Sequence, residues 1–141
     1  MHTLAIDINC DLGESYGNFT VGNDEAIFPH ITSCNIACGF HGGDPLMIEK
    51  TIQLALQHQV QIGAHPAFPD LMGFGRQVMQ IPFATLKALL KYQISAVKGM
   101  VEMAGGTLCH VKPHGALYQV AAVQEEEAKC IAETVAVVGK I

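Results

Sequence analysis

The sequence is poor in charge: only 15% of its 141 residues are Asp, Glu, Lys or Arg, where about 25% is usual. Half of the residues are hydrophobic. Such a chain can offset its conformational entropy by burial, which excludes intrinsic disorder. The length favours a single domain over residues 1–141. A surface with so few charges is expected to contact something other than water, such as a partner or the rest of a longer chain.

Several other features are absent, and each absence excludes a class of protein. No uninterrupted apolar stretch approaches the roughly 18 residues that a membrane span requires. The apolar run Leu4–Ile6 is cut short by Asp7, so no secretory signal is expected. The net charge of −5 and the lack of a basic stripe argue against a nucleic-acid partner. The five cysteines contain no CxxC pair, which favours reduced thiols in a cytoplasmic protein over a disulfide framework or a zinc knuckle.

Strand patterns alternate with helix patterns four times along the chain. Strands are predicted at Leu4–Cys10, Ser33–Cys38, Val60–Ala64 and Thr107–Lys112. Helices are predicted near Asp24–His30, after the N-cap Asp44, from Pro82 to the Gly105-Gly106 pair, and with Glu125–Glu127 in the first turn. This alternation predicts an α/β fold with a parallel sheet. Four βα units are half of an eight-fold barrel of about 250 residues, so either a small open sheet or the front part of a longer barrel is expected.

Each predicted strand has one apolar face and one face that turns polar toward its carboxyl end. In the fourth strand, alternation predicts that Cys109 and Val111 oppose Leu108, His110, Lys112 and His114. Ligands of parallel α/β folds bind beyond the carboxyl ends of the strands, and buried ionisable groups are costly unless they are paired or metal-bound. We therefore expect a site there, and its candidate catalytic residues are Asp11, His41, His65, Lys112 and His114.

Further polar residues and glycines near these strand ends are candidates for binding substrate or phosphate. They are Asn9, Glu14, Asn35, Gly42, Gly43 and Arg76. The glycine-rich loop precedes a helix N-terminus, where backbone N–H groups can hold an anion, but it lacks the lysine and hydroxyl residue of a Walker loop. The guanidinium group of Arg76 is suited to binding a carboxylate with two hydrogen bonds. The alternative interpretation is that Arg76 is a solvated loop residue. For Glu14, a role as the cap of the turn after the first strand is given the same weight as a binding role.

Histidines and an aspartate gathered at one edge suit metal binding as well as acid–base chemistry. A divalent metal held by Asp11, His41 and His65 is therefore an alternative use of the same site. The ligands would come from separate elements, and no HxH or HExxH spacing fixes a particular metal. The sequence alone does not distinguish metal binding from acid–base chemistry at this site.

Four segments resemble the LamB/YcsF family in collinear order over essentially the whole chain. They are DINCDLGES at 7–15, NIACGFHGGDP at 35–45, GAHP at 63–66 with GFGR at 73–76, and HVKPHGALY at 110–118. The resemblance implies a (β/α) barrel of the glycoside hydrolase/deacetylase type, of which this sequence holds about the first four βα units. Members of the family continue beyond the fourth unit, so further strands and any site residues on them are expected to lie outside this sequence.

The resemblance also implies a reaction, namely the ATP-dependent opening of the lactam 5-oxo-L-proline to L-glutamate. The implied cofactor is ATP, with Mg²⁺ accompanying it, and the implied partners are 5-oxoprolinase subunits B and C. We hypothesise that Asp11 or His65 is a base or metal ligand, and that Lys112 stabilises negative charge. His41 and His114 would orient or protonate the reacting groups. The alternatives are a metal-dependent, deacetylase-like hydrolase of carbohydrates or amides and a non-catalytic scaffold subunit.

Overall fold

The structure, a computed structural model, describes residues 5–139 of the chain. The strands are β1 (Asn9–Leu12), β2 (Ser33–Ala37), β3 (Gln61–His65) and β4 (Leu108–Val111). The helices are α1 (Asp24–Ile27), α2 (Pro45–Gln57), α3 (Phe83–Met103), α4 (Gly115–Ala121) and α5 (Glu125–Val138). A 3-10 turn over Phe28–His30 follows α1.

All four strands are parallel, and their order in the sheet is their order in the chain, β1-β2-β3-β4. A doubly wound sheet would reverse its strand order at a switch point, whereas a (β/α) barrel adds each strand beside the previous one. The sheet therefore has the winding of a partial barrel, and the predicted α/β class with parallel strands is confirmed.

The main core lies between the apolar face of the sheet and helices α2 and α3. Its centre is made of fully buried isoleucines, which come from the strands and from both helices: Ile36, Ile52, Ile62 and Ile94. A second core joins α3, α4 and α5 around Phe68, Leu90 and Leu117. Because the helices cover the apolar face, the opposite face of the sheet is left to the polar side chains of the strands.

The start of α2 shows how the sequence fixes a helix beside the site. The side chain of Asp44 accepts a hydrogen bond from the backbone N–H of Met47, and Pro45 occupies the first helical position, as predicted. Asp44 also accepts a hydrogen bond from the backbone N–H of Gly17. This N-cap therefore ties the loop after β1 to the beginning of α2.

Two local predictions differ from the structure at the ends of the sheet. The first strand begins at Asn9 instead of Leu4. Leu4 itself lies outside the described residues, and Ile6 and Ile8, which precede β1, are exposed. The sequence pattern does not separate α4 from α5, although the buried residues of α4 pack into the second core.

A third difference is a register shift between β3 and β4. Ile62 is in register with Leu108, but the next residue of β3, Gly63, is in register with His110. The extra residue, Cys109, is exposed, and Leu108 is buried in the main core. The predicted alternation, with Leu108 on the polar face and Cys109 on the apolar face, is therefore wrong at this bulge.

Within residues 5–139, no helix is long and apolar enough to cross a membrane. All five cysteines are free thiols in the structure, and Cys34, Cys38 and Cys130 are buried.

Candidate active site

Polar side chains from the strand ends meet on the sheet face that the helices leave uncovered. Asp11 of β1 is in register with Asn35 of β2, and Ala37 of β2 is in register with His65 of β3. Lys112 directly follows β4, and His114 occupies the N-cap position of α4. Parallel strands thus bring four separate parts of the chain to one edge.

An ion pair between Asp11 and Lys112 forms the outer part of the site. The Lys112 Nζ lies 2.7 Å from Asp11 Oδ1 and 2.9 Å from Asp11 Oδ2, and the two side chains are 40% and 35% exposed. The side-chain amide of Asn35 donates a further hydrogen bond of 2.7 Å to Asp11 Oδ1. Both carboxylate oxygens are therefore held, and the ammonium group of Lys112 stays accessible to solvent.

Two buried histidines, His65 and His114, form the inner part of the site. The His65 Nδ1 contacts the backbone carbonyl of Lys112, and the His114 Nε2 lies 2.8 Å from the backbone carbonyl of Phe74. The remaining ring nitrogens, His65 Nε2 and His114 Nδ1, are 3.0 Å apart. His65 Nε2 also lies 3.3 Å from Asp11 Oδ2, so His65 connects the inner and outer parts.

The third buried histidine, His41, stacks on His114 with ring centroids 3.7 Å apart and planes inclined by 6°. Its Nε2 lies 3.0 Å from Glu14 Oε1, which is also 3.5 Å from His114 Nδ1. His41 is 1% exposed. Glu14, interpreted from the sequence as a turn cap or a binding residue, thus reaches the centre of the histidine cluster.

The loop over residues 73–76 closes one side of this cluster. The Phe74 ring contacts His41 and His114 edge-on, with centroids 5.6 and 5.2 Å away. A Cβ added to Gly75 would lie 2.7 Å from His114 Cδ2 and 2.8 Å from His41 Cβ, and the φ of Gly75 is +67°. Only glycine fits this close approach of backbone to two rings.

Burial and hydrogen bonding set the charges of the site. Burial alone would raise the pKa of Asp11, but hydrogen bonds with His65 and Lys112 outweigh it and hold the pKa well below its usual range. Burial lowers the pKa of His41, against the opposing hydrogen bond with Glu14. Burial, with His41 beside it, lowers the pKa of His114 to about 4. At neutral pH the site therefore combines an ionised Asp11 with uncharged His41 and His114 rings.

A third group of side chains lies deeper on the polar face of the sheet. The His110 Nε2 is 2.7 Å from Asn35 Oδ1, and the side-chain amide of Asn9 donates to the same oxygen over 3.3 Å. A Cβ on Gly63 would lie 2.2 Å from His110 Nε2, so this ring requires glycine beneath it. Sequence reasoning placed His110 on the polar face but did not select it, although it shares that face with Lys112.

The two glycines proposed from the sequence to bind phosphate, Gly42 and Gly43, lie beside the cluster. Both are buried, and the backbone N–H of Gly43 donates to the carbonyl of Glu14 over 3.2 Å. A Cβ on either glycine would lie within 3 Å of a carbonyl oxygen of the loop after β1, at 2.8 Å for Gly42 and 2.7 Å for Gly43. Both glycines therefore allow close packing of two loops, and phosphate binding by this segment stays a prediction.

An open cavity of about 370 Å³ lies beside the Asp11–Lys112 pair. Its lining includes Asp11, Lys112, Arg76 and His114. Arg76 is exposed, with its guanidinium carbon 5.9 Å from the centroid of the Phe74 ring. The cavity thus presents two cationic side chains and one carboxylate to a small ligand.

Comparisons with known proteins show which family and fold the chain resembles. A model of the LamB/YcsF family matches residues 6–141. The chain is 53% identical over 130 residues to the A subunit of 5-oxoprolinase from Bacillus cereus (strain AH187), a match that covers 92% of this chain and 51% of the relative. It is 52% identical over 132 residues to the A subunit of 5-oxoprolinase from Bacillus cytotoxicus, covering 94% and 52%.

Among solved structures, the chain is similar to the lactam utilization protein from Thermus thermophilus. The TM-score is 0.93 at 48% sequence identity, over 95% of this chain and 54% of the other. The chain therefore spans about half the length of the relatives that it matches.

Proposed function

The chain belongs to the LamB/YcsF family, and on that basis we propose that it acts in an ATP-dependent 5-oxoprolinase, which hydrolyses 5-oxo-L-proline to L-glutamate. The observation that carries the proposal is the Asp11–Lys112 pair at the edge of a cavity, with Arg76 beside it. 5-Oxoproline is a small lactam with one carboxylate, and the cavity offers two cations to its two oxygen-bearing groups. ATP, accompanied by Mg²⁺, and subunits B and C as partners belong to the same proposal.

The proposed chemistry follows from the weak reactivity of a lactam carbonyl. Transfer of the γ-phosphoryl group of ATP to the lactam oxygen forms an O-phosphorylated imidate and releases ADP. Addition of water to its carbon, followed by cleavage of the C–N bond, opens the ring to an acyl phosphate. A second water then releases phosphate and leaves glutamate. Negative charge develops on oxygen in these steps, so the reaction needs a fixed cation close to the former carbonyl.

In this proposal, Lys112 supplies that cation. Asp11 holds the ammonium group with two hydrogen bonds of 2.7 and 2.9 Å. Because its pKa is far below the usual range, Asp11 is a weak proton acceptor and orients Lys112 and the attacking water instead. Arg76 pairs with the substrate carboxylate, for which a guanidinium is well shaped. Asn35 keeps Asp11 in place through its hydrogen bond to Oδ1.

The test combines the purified protein with subunits B and C and measures glutamate and ADP formed from 5-oxoproline and ATP. We expect both products in equal amounts, and neither product when this protein is omitted. Equal rates with and without this protein would overturn the proposal in favour of a dispensable scaffold. Lactam or amide hydrolysis by this protein without ATP would overturn it in favour of the deacetylase-like alternative.

A further inference from the structure

The side chains of Glu14, His41, His65 and His114 bring four potential ligand atoms close together. The His41 and His114 rings are stacked in parallel, so one of them would turn to point at a shared ion. Each offers one oxygen or nitrogen atom, and these atoms all lie within 4.8 Å of one another. The separations are 3.0 Å between His65 Nε2 and His114 Nδ1, 3.0 Å between His41 Nε2 and Glu14 Oε1, and 3.5 Å between Glu14 Oε1 and His114 Nδ1. Tetrahedral Zn²⁺ with bonds of about 2.0–2.1 Å places its ligand atoms about 3.3–3.4 Å apart.

The hydrogen bonds of the rings show which nitrogen atoms carry hydrogen. The carbonyl oxygens of Lys112 and Phe74 only accept hydrogen bonds, so His65 Nδ1 and His114 Nε2 are the donors. In the uncharged His114 ring, Nδ1 therefore carries a lone pair, which faces His65 Nε2 over 3.0 Å. His65 Nε2 carries a lone pair as well when the His65 ring is uncharged. A carbonyl partner on the far nitrogen is also the usual support of a metal-bound histidine.

The balance of donors and acceptors inside the cluster favours a cation at its centre. Glu14 Oε1 and His114 Nδ1 are two acceptors 3.5 Å apart in one small space, and His65 Nε2 is a third when its ring is uncharged. His41 is the fourth member, and its Nε2 lies 3.0 Å from the same oxygen of Glu14. Crowded acceptors that face one another are costly in a buried space, and a divalent ion bound by these groups would remove that cost.

Asp11 does not belong to this ligand set. Its oxygens are engaged by the ammonium group of Lys112, and Asn35 donates to Oδ1. A carboxylate already neutralised by a lysine is a poorer ligand than Glu14, whose Oε1 contacts two of the histidines. The geometry thus places Glu14 and His114 in positions where the sequence suggested Asp11.

We propose that Glu14, His41, His65 and His114 bind one Zn²⁺ ion, with a ligand set of three imidazoles and one carboxylate. Four protein ligands leave no open position, which is typical of structural zinc sites. The ion would connect the loop after β1, the loop before α2, the end of β3 and the start of α4. This inference goes beyond the proposed function and does not depend on it.

The experiment titrates Zn²⁺ into the purified, chelator-treated protein and measures stoichiometry and affinity by competition with a chromophoric chelator. We expect one ion per chain and a higher melting temperature of the Zn²⁺-bound protein, since the ion binds only the folded state tightly. Glu14→Gln keeps the shape of the side chain and removes its charge, and it should weaken Zn²⁺ binding by at least about tenfold. Circular dichroism verifies that the variant keeps its helices.

Two matched variants complete the test. Asp11→Asn should keep one Zn²⁺ per chain with affinity close to wild type, since Asp11 is not a ligand. His30→Gln, at an exposed histidine, should bind like wild type and excludes binding by surface imidazoles.

Three outcomes would overturn the proposal. The first is a wild-type protein that binds no Zn²⁺, which would mean that a shared proton holds the rings together. The second is a Glu14→Gln variant that binds as tightly as wild type, and the third is loss of the ion in Asp11→Asn. None of these measurements uses ATP, 5-oxoproline or partner subunits, so failure here leaves the proposed function standing.

Discussion

Replacing Lys112 with Met removes the cation of the outer ion pair and keeps most of the apolar stem. The Lys112 and Asp11 side chains are 40% and 35% exposed, so solvent screens their interaction. Losing such a pair is expected to cost about 1 kcal/mol or less in free energy of unfolding. Losing a group that stabilises developing negative charge is expected to lower turnover by about 100- to 1,000-fold. A large loss of activity with a small loss of stability is therefore the expected signature.

Lys87→Met is the matched control for this prediction. Lys87 forms an ion pair with Glu133 that joins α3 to α5, and the two side chains are 25% and 39% exposed. The same substitution at Lys87 removes a comparable ion pair, but one that joins two helices instead of lying at the strand ends. We expect this variant to lose a little stability and to keep its turnover.

The assay measures ADP formation that depends on 5-oxoproline, with subunits B and C present, and urea unfolding gives the free energy of each variant. Wild-type turnover in Lys112→Met would refute the assigned role of this lysine. Equal losses of turnover in both variants would also refute it, because the effect would then follow from the loss of any ion pair.

Two further predictions concern residues that pack against the site. Gly75→Ala should lower the free energy of unfolding by about 2–4 kcal/mol, because the new Cβ overlaps the His114 ring and the backbone is left-handed. The control is Gly105→Ala, where φ is +84° and no atom lies near the added Cβ, so the loss should be only about 1–2 kcal/mol. Equal losses of the two variants in urea unfolding would contradict the packing argument. Burial lowers the pKa of His110, so the unfolded chain binds the proton first and the free energy of unfolding falls as the pH drops below about 6.5. His110→Gln should make this fall shallower in urea titrations at several pH values, and an unchanged slope would contradict the assignment.

The sequence was sufficient to predict that several polar side chains meet at the strand ends. Asp11, His65 and Lys112 each stand at or just beyond the end of a strand pattern, and parallel strands place such ends together. The helix starts followed from local chemistry, as at the Asp44 N-cap, which depends only on neighbouring residues. These features could be predicted because they rest on chain direction and short-range contacts.

The sequence did not predict features that depend on contacts between distant segments. The bulge in β4 exchanges the expected positions of Leu108 and Cys109, and period-two alternation has no means of signalling an inserted residue. In the loop at 73–76 the sequence singled out only the arginine, although the carbonyl of Phe74 and the missing Cβ of Gly75 position the His114 ring. In the proposed Zn²⁺ site, Glu14 takes the place that the sequence analysis gave to Asp11, because the Asp11 carboxylate is paired with Lys112.

Because His65 contacts both the inner and the outer part of the site, substitutions in these two parts are expected to have different effects. Its Nε2 lies 3.0 Å from His114 Nδ1 inside the cluster and 3.3 Å from Asp11 Oδ2 at the edge, and the ring is fully buried. A change among the buried rings moves His65 and therefore disturbs Asp11 as well. The Lys112 side chain is partly exposed, so water can replace its ammonium group after a substitution and the buried rings stay in place. Variants inside the cluster should therefore lose metal binding and turnover together, whereas variants of Lys112 should lose turnover alone.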